Sequence, residues 1–383
     1  MVYITIKQSP MYHQMSLEDF LFNTTPKQPS YCNRNETNTR TYEVSEVSER
    51  FRSKLRFDAD YLISKLRKFN LATEELRKVP NRHDLYHKFY IPKKTGGLRE
   101  INAPQPELME ALRTLKTIFE TDFGALYHTS AFAYIKGRST LDAVKRHQAN
   151  ESRWFLKLDF HNFFGSTTQD FLMRMLSMVY PFSLVCAKEN GRIELEKAIS
   201  LCMLDGGLPQ GTPISPTLTN IMMIPIDFKL SSVLRDYNGQ KFTNTRYADD
   251  LLISSRYGFM FREIESAVIG VLKTFNAPFQ LNREKTRYGS RNGHNFSLGI
   301  LINKDNNITI GHEKKRVFHA MINSFVLDSL SGKLWPTEDV RILDGHKNYY
   351  KMVEKEAVEQ IIQRYNKKYN VDVDKMISQQ LSA

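Results

Sequence analysis

Two apolar stretches that carry carboxylates constrain the fold of this chain more than any other feature. Residues 154–160, WFLKLDF, alternate and are rich in aromatic and aliphatic side chains, which predicts a buried strand with Asp159 near its end. Residues 242–255, FTNTRYADDLLISS, predict a hairpin that turns at Ala248, Asp249 and Asp250. Carboxylates beside buried strands are unfavourable unless a partner compensates them. A fold that brings these positions together would form a pocket of hard oxygen ligands.

The pattern along the rest of the chain predicts a mixed helix and strand protein. Residues 1–50 are rich in Asn, Thr, Ser and Glu and have weak periodicity, which predicts a partly ordered extension. Apolar residues at helical spacing follow over residues 49–78. Strand-like runs then alternate with helical segments from about residue 86 to residue 310, and the last seventy residues predict helices.

Two helix starts are predicted in the middle of the chain. Ser166 or Thr167 is expected to cap a helix that runs through residues 170–180. Ser215 is expected to cap a second helix, with Pro216 in its first turn. That helix would run through residue 234 with a kink at Pro225.

Composition narrows the class of protein. The 383 residues include only three cysteines without a C-x-x-C pair, which argues against a disulfide scaffold and a Cys-rich zinc module. With no apolar run of eighteen residues and no apparent signal peptide, the chain is expected to be cytoplasmic and to lack a membrane anchor. The net charge of +12 suits a polyanionic partner, although a solvated surface would explain it equally well.

The carboxylates have a functional and a plainer interpretation. Asp159, Asp249 and Asp250 together would suit Mg²⁺, which prefers carboxylates combined with substrate phosphates. Two ions about 3.5–4 Å apart would act on the attacking and leaving oxygens of a phosphoryl displacement. Taken singly, Asp159 could be a strand-end cap, and Asp249 and Asp250 could form an ordinary turn.

Six blocks of the sequence resemble, in order, those of reverse transcriptases. They are residues 91–101 (IPKKTGGLREI), 132–139 (FAYIKGRS), 158–164 (LDFHNFF), 208–216 (LPQGTPISP), 246–250 (RYADD) and 297–300 (SLGI). Residues 343–346, LDGH, resemble the thumb of group II intron and retron enzymes. The chain therefore looks like a stand-alone bacterial reverse transcriptase of that clan over about residues 86–370.

The resemblance implies an α+β right-hand polymerase with fingers, an antiparallel palm sheet and a helical thumb. It divides the chain into an N-terminal extension at 1–50, fingers and palm at 51–310, and the thumb at 311–383. It also implies that Asp159, Asp249 and Asp250 are catalytic and bind two Mg²⁺ ions, with Mn²⁺ as an alternative.

The resemblance assigns a second set of residues to the incoming nucleotide. They are Lys93, Arg99, Phe164, Gln210, Gly211 and Lys285. Arg99 suits a triphosphate because its planar fork binds phosphate oxygens in pairs. Phe164 matches the steric gate that excludes a ribose 2′-hydroxyl, whereas its neighbour Phe163 is expected in the core. Arg283 could substitute for Lys285, and Lys93 and Arg99 could simply be exposed bases.

The thumb and the active-site turn give two further expectations. Lys314, Lys315 and Arg316 precede an apolar helical pattern and would contact a duplex backbone, or they belong to an ordinary charged helix face. Tyr247 matches a position under the primer terminus, although a buried turn tyrosine would look the same.

Two sequence blocks that bear on the biological role depart from the retron pattern. Residues 142–147, DAVKRH, depart from the retron N-A-x-x-H box, and residues 297–299, SLG, stand where retron enzymes carry V-T-G. Relatives of this build copy a dedicated non-coding RNA in retron or phage-defence systems, so the expected partners are such an RNA, the DNA product and deoxynucleotides. A protein partner or homo-oligomer is also open. Two alternatives are an RNA-binding scaffold for a toxin and template-independent DNA synthesis.

Overall fold

The computed structural model describes residues 58–93, 96–124, 126–235, 237–291 and 299–382, and the backbone of two short strands before them. Those strands, β1 (Tyr3–Thr5) and β2 (Thr41–Glu43), pair antiparallel. The remainder of the predicted extension at 1–50 lies outside the described residues, as does the first part of the helical pattern at 49–78.

The strands after residue 58 belong to two hairpins and one larger sheet. They are β3 (Tyr86–Pro92), β4 (Leu98–Pro104), β5 (Trp154–His161), β6 (Phe242–Tyr247), β7 (Asp250–Ser255), β8 (Gln280–Leu281), β9 (Arg287–Ser290), β10 (Leu301–Ile302) and β11 (Ile308–Thr309). The five-stranded sheet has the order β6-β7-β5-β8, and β9 also pairs with β5. Both β5–β7 and β6–β7 are antiparallel.

Helices make up most of the described chain. They are α1 (Ala59–Ala72), α2 (Glu74–Lys78), α3 (Pro106–Thr117), α4 (Thr140–Ala149), α5 (Gln169–Leu176), α6 (Phe182–Cys186), α7 (Glu189–Ser200), α8 (Ser215–Met222), α9 (Ile224–Arg235), α10 (Phe261–Thr274), α11 (His312–Leu330), α12 (Thr337–Val353), α13 (Lys355–Tyr369) and α14 (Val373–Ser382). A 3-10 helix (Arg82–Leu85) and a π-helical turn (Ile118–Phe123) complete the set. The prediction of helices over the last seventy residues is confirmed by α11–α14.

The chain folds into two compact units, each assembled from three segments. The first comprises residues 1–129, 161–233 and 265–280. Its core includes the fully buried Leu62 and Leu66 of α1 and a tight cluster of Phe119, Phe123 and Phe182. Segments distant in sequence build this core, so it depends on tertiary contacts from the outset.

The second unit comprises residues 130–160, 234–264 and 281–383 and contains most of the five-stranded sheet. Helix α4 packs on the sheet through Leu141 and Val144, which meet Phe155 of β5 and Leu252 of β7. Helices α11–α14 have a separate apolar core that includes Phe318, Phe325 and Leu343. Burial of these apolar side chains is the main favourable contribution to the stability of each packed layer.

Both predicted helix caps are wrong by one or two residues. Thr168 caps α5, since its hydroxyl accepts from the amide of Phe171, whereas Thr167 is buried and donates to the Phe163 carbonyl at 2.9 Å. Ile214 precedes α8, and Ser215 instead donates its hydroxyl to the Pro209 carbonyl at 3.0 Å. In both cases a contact with an earlier turn takes the hydroxyl away from capping.

The predicted single helix from Ser215 is also wrong, because it is two helices. Helix α8 ends at Met222, and α9 begins at Ile224 with Pro225 in its first turn. Proline has no N–H and is tolerated in a first turn, where that donor would lack a helical partner. Pro225 therefore starts a second helix rather than kinking one. None of the helices in the described part of the chain is long and apolar enough to cross a bilayer.

Candidate active site

The hairpin that carries Asp249 and Asp250 is built as the sequence predicts. Strand β6 ends at Tyr247, β7 begins at Asp250, and Ala248 between them has a φ of +57°, in the left-handed region. The side chain of Arg246 is 1% exposed and donates from Nη1 to the Ala248 carbonyl at 3.2 Å. A buried guanidinium thus supports a turn that would otherwise be strained for a residue with a Cβ.

Asp159 lies directly across from this hairpin. Its partner in the β5–β7 register is Asp250, and the backbone N–H of Phe160 donates to the Asp249 carbonyl at 3.2 Å. Asp159 is only 5% exposed. Burial, followed by the nearby Asp159 charge, raises the pKa of Asp249, and burial also raises the pKa of Asp250. The sheet therefore crowds three carboxylates where water cannot fully solvate them.

Two lysines compensate these carboxylates. Nζ of Lys285 lies 2.9 and 3.1 Å from the two carboxylate oxygens of Asp159, and this hydrogen bonding raises the pKa of Lys285. Nζ of Lys157 lies 2.9 Å from Oδ2 of Asp250. The sequence analysis missed Lys157, although it lies two residues before Asp159 on β5 and so points to the same face.

The donor set suits a divalent cation that is shared with a substrate. Within the described residues, no three His, Cys, Asp or Glu side chains form a complete metal-binding group. Mg²⁺ typically uses one or two carboxylates together with substrate phosphates and water. Buried carboxylates with raised pKa values and a lysine already in contact are consistent with such a shared site. Asp159 and Asp249, with Asp250 beside them, therefore fit the group that the resemblance implies.

A buried histidine that the sequence analysis did not select supports the same hairpin. His147 of α4 is fully buried, with Nδ1 2.6 Å from Oγ of Ser254 and Nε2 2.8 Å from Oγ1 of Thr245. Ser254 also donates to Ser152 at 2.7 Å. Burial lowers the pKa of His147 to about 3, so the ring is neutral and one nitrogen donates while the other accepts. The imidazole thereby links β6 to β7.

The other predicted site residues lie in the first unit. Lys93 and Arg99 flank the turn of the β3–β4 hairpin and are both exposed, and the Lys93 amide donates to the Gly97 carbonyl at 2.9 Å. Among the described residues, neither side chain has a hydrogen-bond or ion-pair partner. Two unpaired bases at a hairpin tip can bind an anion without first breaking an internal contact.

The loop at residues 208–216 is attached to the same hairpin. The amide of Asn102 donates to the Gln210 carbonyl at 2.8 Å. Gly211 has a φ of +111°, and a Cβ there would lie 2.7 Å from Cγ2 of Ile101. Only glycine fits both the backbone angle and the close approach. The Gln210 side chain is half-buried beside this attachment.

Phe163 lies in the core, as predicted, whereas its neighbour Phe164 is half-buried. Phe163 is 2% exposed and its ring centroid lies 4.9 Å from that of Phe279, which confirms its place in the core. Phe164 is half-buried, and its carbonyl accepts from the Leu208 amide at 3.0 Å. The first unit thus links Phe164 to the loop that carries Gln210. The second unit brings together Asp159, Asp249, Asp250 and Lys285.

The bases expected to contact a duplex backbone, Lys314, Lys315 and Arg316, are less free to bind it than predicted. Lys314 donates to the Gly299 carbonyl, and Lys315 forms an ion pair with Glu354. Arg316 is exposed. Two of the three bases are therefore engaged within the protein. Residues 297 and 298 of the last family block lie outside the described residues.

The antiparallel sheet, with carboxylates on its central strand and hairpin turn, defines a nucleic-acid polymerase palm. The model of the family described as reverse transcriptase (RNA-dependent DNA polymerase) matches residues 91–316, which is more than half of the chain. The chain belongs to this family. It is an RNA-directed DNA polymerase with the α+β right-hand fold.

Several of the similar curated proteins are retron enzymes. Retron Ec83 reverse transcriptase of Escherichia coli is 27% identical over 308 residues, which cover 76% of this chain and 89% of that protein. Retron Ec73 reverse transcriptase of the same species is 25% identical over 73% of this chain and 86% of its own length. Retron Mx65 reverse transcriptase of Myxococcus xanthus is 27% identical over 73% of this chain and 64% of its own length.

Proposed function

We propose that this polymerase adds deoxynucleotides by two-metal nucleotidyl transfer, with Asp159 and Asp249 as metal ligands and Asp250 as the third carboxylate. The observation that carries the proposal is the crowding of these three groups on β5 and the β6–β7 turn, with raised pKa values at Asp249 and Asp250. Mg²⁺, or Mn²⁺ in its place, would lower the pKa of the primer 3′-hydroxyl and stabilise the leaving pyrophosphate.

Lys285 and Lys157 have different tasks in this proposal. Lys285 contacts both oxygens of Asp159, and its side chain is 53% exposed, so it can turn from the carboxylate toward an arriving triphosphate. Lys157 is 26% exposed and lies on the strand beside Asp250, where its charge opposes the rise in the pKa of that carboxylate that burial causes. The protein's own cations thus orient these carboxylates before substrate binds.

The first unit supplies the nucleotide contacts in this proposal. Lys93 and Arg99 bind the triphosphate, and Gln210 and Gly211 line the sugar and the templating base. Phe164 excludes a 2′-hydroxyl. Support comes from the exposed bases of the β3–β4 hairpin and from the attachment of the Gln210 loop to β4. Arginine and lysine at a hairpin tip bind phosphate through charge-assisted hydrogen bonds.

The change Asp249→Asn tests the mechanism. It keeps the size of the side chain but removes the charge, so primer extension should fall by about a hundredfold or more, as when one electrostatic stabiliser of a transition state is lost. Primer–template binding should persist, since the fold is unchanged. The measurement is single-turnover extension of an annealed DNA primer on RNA, together with binding by anisotropy.

Asp60→Asn is the matched control for this change. Asp60 is an exposed residue of α1 that pairs with Lys188 at the surface, so its variant loses the same charge far from the carboxylate cluster along the chain. It should extend primers like the wild type. Full activity in Asp249→Asn would overturn the mechanism.

We further infer that the template is a dedicated non-coding RNA, in a retron-type or phage-defence system. The support is that similar proteins over most of the chain are retron reverse transcriptases. Sequencing the nucleic acid that co-purifies from the native host should recover matched RNA and cDNA from one adjacent locus. RNA without cDNA would favour a scaffold role, and cDNA without any matching RNA would favour template-independent synthesis.

A further inference from the structure

Four strands of the palm sheet end on the side away from the carboxylates, and a basic residue adjoins each of these four strand ends. Lys241 precedes β6, Arg256 follows β7, Arg153 precedes β5 and Arg291 follows β9. The register pairs Trp154 with both Ser255 and Ser290, and Ser255 with Phe242, so these four positions are neighbours. We call these four residues the basic row.

Backbone hydrogen bonds extend the ladder into the basic row. The amide of Arg153 donates to the Ser255 carbonyl at 2.9 Å, and the amide of Arg291 donates to the Arg153 carbonyl at 2.8 Å. Adjacent strands are about 4.8 Å apart, so four positions span roughly 14 Å. A span of this size matches a short run of phosphates better than a single anion.

The charges of the basic row are only partly compensated. Arg256 pairs with Glu151 at 2.8 Å, and Arg291 donates to the neutral Asn306 side chain at 2.9 Å and to the Lys304 carbonyl at 2.7 Å. Arg153 and Lys241 are exposed, and within the described residues their side chains have no partner. Residues 292–298, which follow Arg291, lie outside the described residues.

Like charges on adjacent strands are destabilising unless a ligand offsets their repulsion. Burial lowers the pKa of the Arg291 guanidinium, and the nearby charge of Arg153 lowers it further. Asp305 and Glu151 act on Arg291 in the opposite sense. Repulsion among these bases is unfavourable when nothing is bound, and a bound polyanion would offset it.

Aromatic side chains accompany the basic row. Tyr257 directly follows Arg256 and is 67% exposed. On β5 and β9, the half-buried rings of Trp154 and Tyr288 stack on each other, with centroids 5.6 Å apart. An exposed ring next to an arginine, as Tyr257 is, is typical of surfaces on which unpaired bases stack, since every base presents a π face.

We propose that the basic row is a second nucleic-acid site, which binds the backbone of single-stranded RNA while Tyr257 stacks on a base. The polymerase copies RNA, and RNA that has not yet been copied is unpaired, which suits this combination of cations and an exposed ring. Arg153 lies six positions before Asp159 along the direction of β5, so the site lies about 20 Å from the carboxylates. It would hold RNA outside the reacting centre.

A double variant tests the basic row. Arg153→Gln with Lys241→Gln removes these two charges without breaking a side-chain contact within the described residues. Its affinity for fluorescein-labelled oligo(U), followed by anisotropy, should fall about tenfold at low salt. The slope of log affinity against log salt should become shallower by about 1.4, because two single-strand phosphate contacts are lost.

The matched control is Lys68→Gln with Arg113→Gln. Both residues are exposed bases on helices of the first unit, without a side-chain partner among the described residues, so the variant has the same net charge. It should bind oligo(U) within about twofold of the wild type, since only the general field changes. Equal losses in the two double variants would overturn the proposal.

Two further readouts keep the proposal separate from catalysis. Single-turnover extension of a saturating, pre-annealed primer–template should be unchanged in Arg153→Gln with Lys241→Gln, and a slowed chemical step would overturn the assignment to a separate site. The same titration with oligo(dT) identifies the ligand. A smaller loss than with oligo(U) supports RNA, and an equal loss overturns RNA in favour of the DNA product.

Discussion

At the scale of single residues, buried polar side chains hold the active-site hairpin in place. Arg246 supports the turn at Ala248, and His147 links Thr245 on β6 to Ser254 on β7. A buried polar group is favourable only when its partners are in place, so these contacts define one arrangement of the two strands. The position of Asp249 and Asp250 therefore depends on residues that never meet a nucleotide.

His147 should make stability depend on pH. Its pKa is about 3 in the folded protein and near 6.5 when unfolded. The neutral ring is the folded form, so its contribution is complete above about pH 6.5 and declines as the pH falls toward 3. At pH 5 the loss should be about 2 kcal/mol, because the unfolded chain then binds the extra proton. Unfolding by denaturant at pH 7.5 and pH 5 measures it.

The variants His147→Gln and Val144→Ala isolate this effect. Glutamine removes the titration but keeps a donor and an acceptor, so its stability deficit relative to wild type should shrink at pH 5. Val144 lies fully buried on the same helix, and its alanine variant loses only apolar packing. Its deficit should be the same at both pH values. A His147→Gln deficit that does not change with pH would contradict the assignment.

At the scale of elements, contacts between a loop and a strand position the residues proposed to bind the nucleotide. The loop that carries Gln210 is attached to β4 by the Asn102 amide, and Gly211 lies against Ile101. The β3–β4 hairpin that carries Arg99 is thereby coupled to the loop after α7 within the first unit. A movement of the β3–β4 hairpin should therefore shift the loop that carries Gln210, and the reverse.

Gly211→Ala should disrupt this attachment. The new Cβ would lie 2.7 Å from Cγ2 of Ile101 and 3.0 Å from the Asn102 carbonyl oxygen, at a backbone angle that disfavours alanine. Gly206→Ala is the control, because its φ of +77° is also left-handed but nothing lies within 4 Å of the added atom. The clash should cost about 1–3 kcal/mol more in Gly211→Ala, measured by denaturant unfolding. Equal deficits in the two variants would show that contact with β4 is unimportant.

At the scale of the whole molecule, the polymerase is assembled from interleaved segments. Each compact unit uses three stretches of chain, and the thumb helices α11–α14 have a core of their own. The chain has a net charge of +12, and exposed bases lie at the β3–β4 hairpin tip and in the basic row, among other places. In the proposals above, the hairpin tip binds the nucleotide triphosphate and the basic row binds RNA.

Deletion of residues 1–48 tests the proposed N-terminal extension. The family match begins at residue 91, so the shortened chain should still extend a pre-annealed primer. We expect it to retain less RNA during purification or to change its oligomeric state, because the polar composition of this segment suits contact with RNA or a second subunit. Quantified co-purifying RNA and molar mass by light scattering measure both. An unchanged value for each would contradict this role.

The amino-acid sequence determined the local features of this protein. Strand β5, the β6–β7 hairpin with its carboxylates and the helical C-terminal region follow from periodicity and turn chemistry, which act over a few residues. The family follows from the order of its blocks. The predicted helix caps at Ser166 or Thr167 and at Ser215 were wrong, because Thr168 caps the first helix and contacts with preceding turns engage the hydroxyls of Thr167 and Ser215.

Only the tertiary structure decided which distant residues meet. Lys285 lies on Asp159, His147 joins two strands about a hundred residues away, and the basic row collects bases from four separate segments. None of these contacts leaves a local signature, since a lone lysine, histidine or arginine has the same sequence context on any helix or strand end. They depend on strand register and on packing across the sheet, which the chain acquires only when remote segments come together.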